Sequence, residues 1–449
     1  MSTLIKRNGT WYKIKDTETG LEYYRSVPVY TGKRWIDGRP IYSLAIHVDN
    51  VPGSGNHFIF DTGLGETVED VIRFERVMQK VDTGQTYIES TGTPSSYDAR
   101  MALQWFCRRT NGVVTTYEAG KIYAGARSVY STDNGNGSKI ILQMEFTLTA
   151  DTAETLFDAK AVKRTVVFKH SKGTLIKHNG MWVNIYQYKE LYQFKLNEEV
   201  YTGSYWLDGK PIYAKVIKGK TSVNTFPDIT NANTYPAGLA SNFKDMIDIW
   251  GVMQNADHGN GGVGVDNVLQ IEGEIQAGSS KGSLCWYNKT TDYVYIRGCG
   301  AYSDCDAYVI LFYTKQTDTD KLITNQNDTC STEEMFTGRY WINGKKIYRK
   351  CYNTLWSGGT STTRGTNNIP TGLPANTIKN VIRCRAIANR CDNNNVYILA
   401  CGGLDSATAV DSVKWCDIWY NAPNNLLNAS GLGSYANRQL MVTIEYTKE

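Results

Sequence analysis

One phrase occurs three times in this chain. Tyr30-Thr31-Gly32-Lys33-Arg34-Trp35-Ile36-Asp37-Gly38-Arg39-Pro40-Ile41-Tyr42 returns as Tyr201-Thr202-Gly203-Ser204-Tyr205-Trp206-Leu207-Asp208-Gly209-Lys210-Pro211-Ile212-Tyr213. It returns again as Phe336-Thr337-Gly338-Arg339-Tyr340-Trp341-Ile342-Asn343-Gly344-Lys345-Lys346-Ile347-Tyr348. An Asp-Gly or Asn-Gly pair between runs of aromatic and β-branched residues is a strong hairpin signal, and the spacing predicts a two-residue type I′ turn. With Asp37 and Gly38 as the loop, Trp35 and Tyr42 fall on one face and Ile36 and Ile41 on the other. Asn343 in place of Asp keeps the turn chemistry, so the phrase encodes a backbone shape first.

A second hairpin phrase precedes two of the copies. Leu4-Ile5-Lys6-Arg7-Asn8-Gly9-Thr10-Trp11 matches Leu175-Ile176-Lys177-His178-Asn179-Gly180-Met181-Trp182, and the shift between the pairs Trp11/Trp182 and Trp35/Trp206 is 171 residues in both cases. Residues 1–29 and 164–200 therefore read as short paired-strand connectors, too small to form a core and bound to lean on a neighbour. Between them lie modules 30–151, 201–318 and 336–449. In each, the hairpin is followed by a Gly- and Asn-rich loop and an apolar run: Asp70 to Phe74, Asp245 to Ile249 and Asn380 to Cys384. Lys121 to Gly125, Val294 to Gly298 and Val396 to Ala400 then align as equivalent strands, and each module closes on one more. The segment from Gly65 to Lys80 also carries helix-like spacing, but its counterparts favour strand. The fold class expected is all-β, three tandem antiparallel sandwich modules of jelly-roll type joined by hairpin connectors.

A length of 449 residues suits three domains. Apolar residues at 41% and aromatics at 12% support packed β cores. A net charge of +4, with no basic run, gives no footing for nucleic acid or an anionic membrane. No stretch reaches the length of an apolar membrane span, and Met1 to Arg7 lacks a signal-peptide segment. The ten cysteines show no Cys-x-x-Cys spacing and read as free thiols made in a reducing cytoplasm, with disulfides or metal as the lesser reading.

Catalytic residues would have to recur among the copies, and none does. His47, His57, His170, His178 and His258 occupy unrelated positions. Asp37 and Asp208 give way to Asn343, and a carboxylate replaceable by an amide is not a general acid. The stretch Gly259 to Gly264 fits the dinucleotide glycine pattern but lacks a strand–helix unit, and Gly219-Lys220-Thr221 lacks the rest of a phosphate loop. No enzyme activity, cofactor or metal site is expected. The repeated Trp35, Trp206 and Trp341 are expected to pack at a strand crossing. Loops rich in Gly, Asn, Ser and Thr remain, with Phe226, Tyr235, Trp356 and Tyr435 as candidate surface-recognition residues.

The phrase Thr-Gly-x-x-Trp-x-Asp-Gly-x-Pro-Ile-Tyr, with closing strands that end Tyr313-Thr314-Lys315 and Tyr446-Thr447-Lys448, resembles a module of virion fibre and receptor-binding proteins of tailed bacteriophages, the crAss-like phages included. The third copy departs at Asn343 and Lys346. The resemblance implies a non-enzymatic fibre or head/tail decoration protein, assembled in the bacterial cytoplasm and carried on the virion. The partners it implies are other virion proteins, copies of itself (a trimer ahead of a dimer) and a host-surface glycan or protein. It carries over no catalytic residues. A chain of such modules is expected to form an elongated rod. A bacterial carbohydrate-binding surface protein and a fibre-borne depolymerase are the alternatives.

Overall fold

The repeated phrase builds the same hairpin each time, by a device different from the two-residue turn expected. Gly38 and Gly209 adopt φ of +87° and +81°, but Asp37 and Asp208 do not enter the left-handed region. The Gly38 N–H donates to Trp35 O at 3.0 Å and the Trp35 N–H to Arg39 O at 2.9 Å, a pattern that recurs at Trp206. This is a three-residue loop, a type I turn closed by a glycine bulge. The reason lies in the aspartate: Asp37 Oδ1 accepts the Arg39 N–H at 3.0 Å and Asp208 Oδ1 the Lys210 N–H at 3.1 Å, which holds the residue in the right-handed region. Asn343 and Gly344 lie outside the described residues.

A second irregularity sits six residues before the loop glycine. Gly32 and Gly203, at φ +79° and +82°, break the ladder, and Thr31, Thr202 and Thr337 each donate a hydroxyl to the carbonyl of Ile41, Ile212 or Ile347 at 2.8 to 2.9 Å. The equivalent Gly338 lies in the same break, between Phe336 and Tyr340. The longer loop moves the register by one, so that Arg34 and not Trp35 lies opposite Pro40 and side chains turn to the opposite face, and the glycine bulge moves it by two more, so that Tyr30 lies opposite Tyr42. Trp35 therefore shares a buried cluster with Ile41, while Tyr42 faces its own module's core, contrary to the expected pairing of Trp35 with Tyr42.

The computed structural model describes residues 4–7, 10–13, 28–48, 57–79, 85–88, 102–109, 117–125, 139–155, 168–170, 173–178, 181–185, 192–224, 231–254, 266–271, 274–275, 282–299, 303–319, 330–341, 345–356, 365–390, 395–399, 416–421, 424–431 and 438–448. Apart from the single 3-10 turn Gly65–Thr67, every element among them is a strand. The N-terminal hairpin is β1 (Leu4–Arg7) and β2 (Thr10–Lys13). The first module holds β3 (Val29–Arg34), β4 (Pro40–Val48), β5 (His57–Asp61), β6 (Val68–Gln79), β7 (Gln85–Ile88), β8 (Ala102–Arg109), β9 (Lys121–Gly125) and β10 (Lys139–Leu148). The connector holds β11 (Phe168–His170), β12 (Gly173–His178), β13 (Met181–Ile185) and β14 (Tyr192–Gln193). The second module holds β15 (Glu199–Tyr205), β16 (Pro211–Lys220), β17 (Asn233–Pro236), β18 (Phe243–Gln254), β19 (Asp266–Ile271), β20 (Glu274–Ile275), β21 (Gly282–Asn288), β22 (Tyr293–Cys299) and β23 (Asp306–Lys315). The third holds β24 (Met335–Tyr340), β25 (Lys346–Trp356), β26 (Gly365–Pro370), β27 (Ile378–Arg390), β28 (Asn395–Leu399), β29 (Cys416–Asn421), β30 (Leu426–Gly431) and β31 (Arg438–Lys448). The strand reading of the stretch after Gly65 holds: it is β6.

Each module contributes one layer in the same order. The hairpin strands are followed across the sheet by the closing strand and then by the strand of the shared apolar run: β3-β4-β10-β6, β15-β16-β23-β18 and β24-β25-β31-β27. One more strand of the same module follows, and what lies beyond it comes from another module. After β7 the first sheet continues with β29-β30-β26 of the third module, after β19 the second continues with β8-β9-β5 of the first, and after β28 the third continues with β21-β22-β17 of the second. The exchange is cyclic. A module's second layer packs face to face on its own first layer, as Phe106 and Ile122 do on Tyr42, Phe74 and Met144, and edge to edge it extends the next module's sheet.

Two expectations change as a result. The counterpart of β9 and β22 is β30, the middle strand of its triplet, and β28 corresponds instead to β7 and β19; similar Val-Tyr-Ile patterns carry no information about neighbours. The rod gives way to a ring about a pseudo-threefold axis, because sheet edges left open by each module are closed by another. The connector hairpin leans on a neighbour as expected, with β13 pairing in parallel on β3 through Asn184 opposite Val29 and Ile185 opposite Tyr30.

Candidate functional site

The three repeated tryptophans sit at the seams of the ring. Trp35 is 1% exposed and packs on the outer face of the second module's sheet, in a cluster with Ile41, Ala214, Val216 and Ile310. Its indole meets Phe194 and Tyr308 edge-on, with ring centroids 5.7 and 5.5 Å away. Trp206 packs likewise with Cys351 and Met441 of the third module, and Trp341 shares a cluster with Ile141 of the first, against which Ala45 also packs. Ala45, Val216 and Cys351 each lie ten residues after their own module's tryptophan, so the three seams use equivalent positions. The tryptophans therefore pack at crossings and are not available as sugar platforms.

At the axis β6, β18 and β27 approach one another pairwise. Positions two and four beyond the aligned Val71, Met246 and Val381 meet there: Arg73 with Glu75, Asp248 with Trp250, and Arg383 with Arg385. Arg73 donates to Glu75 at 2.7 Å, while Arg383 and Arg385 each reach Asp248 at 2.9 Å. Arg385 Nη2 also donates to Ile249 O at 2.8 Å. The guanidinium carbons of Arg385 and Arg73 lie 3.8 and 4.3 Å from the Trp250 ring centroid, so the indole face balances charge beyond that met by the two carboxylates. Burial pulls Arg385 down to about 10, against the attraction of Asp248 and Glu75, which leaves it protonated at neutral pH. Such a cluster fixes relative position and offers no proton to move. Sequence reading passed over these six residues. The available signal was a charged or aromatic side chain at the same two alternate positions of the aligned strand in all three copies.

A second network anchors the loop that leaves β16. Asn224 is buried and its amide donates to Ser222 Oγ at 2.7 Å, Asn231 O at 2.9 Å and Gly298 O at 2.7 Å. Residues 221–224 and 231–232 are thus held together by this network, and Phe226 lies outside the described residues. Tyr235 lies on β17, half-buried, and its hydroxyl accepts the Lys220 N–H at 2.7 Å. Its ring covers Gly219 so closely that a Cβ there would come within 2.4 Å of it. The tyrosine is a strut and also one wall of a surface groove of about 340 Å³, lined with Asn197, Lys215, Ile217, Lys218 and Gly238. Lys215 Nζ donates to Ala237 O at 2.6 Å across it.

Trp356 ends β25 opposite Arg438, with its side chain outside the description, and Tyr435 lies outside the described residues. Of the four candidate recognition residues only Tyr235 has its side chain within the described residues. Among those residues no group of three or more His, Cys, Asp or Glu is placed to hold a metal, and no helix is long and apolar enough to cross a membrane. Cys107, Cys285, Cys305, Cys330, Cys351 and Cys384 are buried, and none of these six described cysteines forms a disulfide.

No protein-family profile and no curated protein matches the chain. A solved structure described as "The Triple Jelly Roll Fold and Turret Assembly in an Archaeal Virus" is similar at 10% identity over 100% of this chain and 89% of that one, with a TM-score of 0.10. A superposition that poor carries no argument. The β-sandwich architecture rests on the strand pairing described above.

Proposed function

We propose that this chain is a non-enzymatic structural component of a tailed-phage virion, a fibre or head/tail decoration protein, whose outward loops attach to a host-surface glycan. The supporting observation is the cyclic strand exchange. Every module is completed by another, and the buried charge at the axis is paired or stacked, so the body is a rigid support and the variable loops are carried on it. The groove walled by Tyr235 beside Lys215 and Lys218 offers an aromatic edge, amines and backbone carbonyls, the mixture that sugar hydroxyls and carboxylates pair with.

Immunogold electron microscopy of purified virions tests the placement. Label on the particle is expected, and label confined to host cytoplasm overturns it. A glycan array probed with the full chain tests attachment. Binding by the free protein without any copurification with virions would favour a bacterial carbohydrate-binding surface protein, and shortening of host capsule during incubation would favour a depolymerase.

A further inference from the structure

We propose that the N-terminal hairpin β1-β2, a two-stranded sheet of its own in the structure, is a second strap of the ring and docks on β24 of the third module in the same chain. The one connector hairpin whose docking is described sets the pattern. The pairing inside β12-β13 sets Leu175 opposite Asn184, Ile176 opposite Val183, Lys177 opposite Trp182 and His178 opposite Met181. Inside β1-β2 it sets Leu4 opposite Lys13, Ile5 opposite Tyr12, Lys6 opposite Trp11 and Arg7 opposite Thr10. Every pair is displaced by 171 residues, the same shift that carries Trp35 to Trp206, so the two hairpins are copies in sequence and in register.

The connector hairpin precedes the second module and lies on the first, where Asn184 of β13 pairs in parallel with Val29 of β3. The rule is that a hairpin straps the module before its own. For a hairpin that precedes the first module of a ring, the module before is the third. The counterpart of Val29 there is Met335, since both stand six residues before their repeated tryptophan. The register follows: Lys13 opposite Met335, in parallel. β24 is the last strand of its sheet, so its outer edge faces the approach.

The reach is sufficient. The pseudo-threefold operation that carries the first module to the second also carries the third to the first, and the spacer from the hairpin to the next module has the same number of residues in both copies because the 171-residue shift is constant. A docking site on the same chain enjoys an effective concentration that a second copy matches only when crowded, so the intramolecular strap is the one assigned. Strand addition to an edge gains main-chain hydrogen bonds and covers a template for aggregation. The docking is independent of whether the chain is a virion protein.

The test is a cysteine pair. Lys13→Cys with Met335→Cys, oxidised in the full chain, is expected to cross-link within one chain, with Asn184→Cys and Val29→Cys as the positive control. Cross-links only between chains would assign the hairpin to a second copy, and none at all, with the control linking, would leave it no place on β24; either overturns the proposal. Deletion of residues 1–13 gives an independent readout by hydrogen exchange. The amides of residues 335–340 are expected to exchange at least tenfold faster while those of residues 211–220 stay unchanged as a check on folding. Unchanged exchange at 335–340 overturns the proposal.

Discussion

The indole of Trp35 stands edge-on to the ring of Tyr308 at 5.5 Å, which joins the hairpin of the first repeat to the closing strand of the second. Position 308 corresponds to Ile141 and Met441 in the other copies, so each seam seats a tryptophan on a different apolar side chain. Trp206→Ala is expected to cost about 3–5 kcal/mol in denaturant unfolding, the usual range for a buried tryptophan. Met441→Ile, which borrows the first copy's residue, should cost under about 1.5 kcal/mol.

At the axis, Arg385→Met should destabilise the chain by about 3–5 kcal/mol, because it strips Asp248 of one partner and leaves the carboxylate buried. Combining it with Asp248→Asn should recover a measurable part of that loss. A double-mutant cycle read by chemical denaturation measures the coupling directly.

Asp70 and Asp245 are equivalent, and the third copy has Asn380 at that position, with its amide donating to Thr447 at 3.1 Å. Burial raises the pKa of Asp70, with Arg108 and Gln254 opposing, and burial likewise raises that of Asp245 against Lys244. A carboxyl whose folded pKa is raised costs stability where it is ionised, above that pKa, and the cost disappears as pH falls through the folded value to the unfolded one. Asp70→Asn is therefore expected to stabilise the chain at pH 7, with the gain lost on acidification. Thermal unfolding of both proteins across that pH range checks it.

One triplet that changes together between copies offers a cleaner swap. Glu199 accepts from Tyr313 at 2.6 Å and Lys315 at 2.7 Å, Glu334 pairs with Tyr446 and Lys448, and the first copy fills the same three positions with Pro28, Phe146 and Leu148. Valine is the apolar replacement to use at Glu199, because the residue belongs to β15 opposite Lys215 and a proline there would remove a backbone N–H from the strand. Glu199→Val alone should cost about 1–3 kcal/mol by leaving the tyrosine hydroxyl without its acceptor. The triple change Glu199→Val, Tyr313→Phe and Lys315→Leu should return most of it, as chemical denaturation of the two variants would measure.

Residues 201–318 expressed alone should fail to fold, since β19 would lose β8 and the triplet β17, β21 and β22 would lose β28. Circular dichroism and size exclusion measure this. The full chain should unfold in one calorimetric transition, and three separable transitions would contradict the shared sheets.

The hairpins and the order of strands along each module were readable because Trp35, Asp37 and Gly38 act on their own neighbourhood, whereas the bulge at Gly32 and the three-residue loop were not read. The face of Tyr42 was misread because the loop between Trp35 and Arg39 holds three residues, one more than the turn expected from Asp37-Gly38. The ring itself was hidden: backbone hydrogen bonds at a sheet edge are the same whichever strand supplies them, so nothing in β8 names β19 as its partner. The axis residues were written at matching positions, yet Arg73, Asp248 and Arg383 differ in charge, and a search for recurring identity passes over complementarity.

Three copies of one polypeptide meeting at an axis must present three identical rims, whereas a single gene that encodes all three positions lets each drift under its own selection. The exchange of strands described above binds the repeats so firmly that one rim can lengthen a loop or replace an aromatic without loosening the other two. Three rims that differ in shape and chemistry can thus be carried on one threefold scaffold.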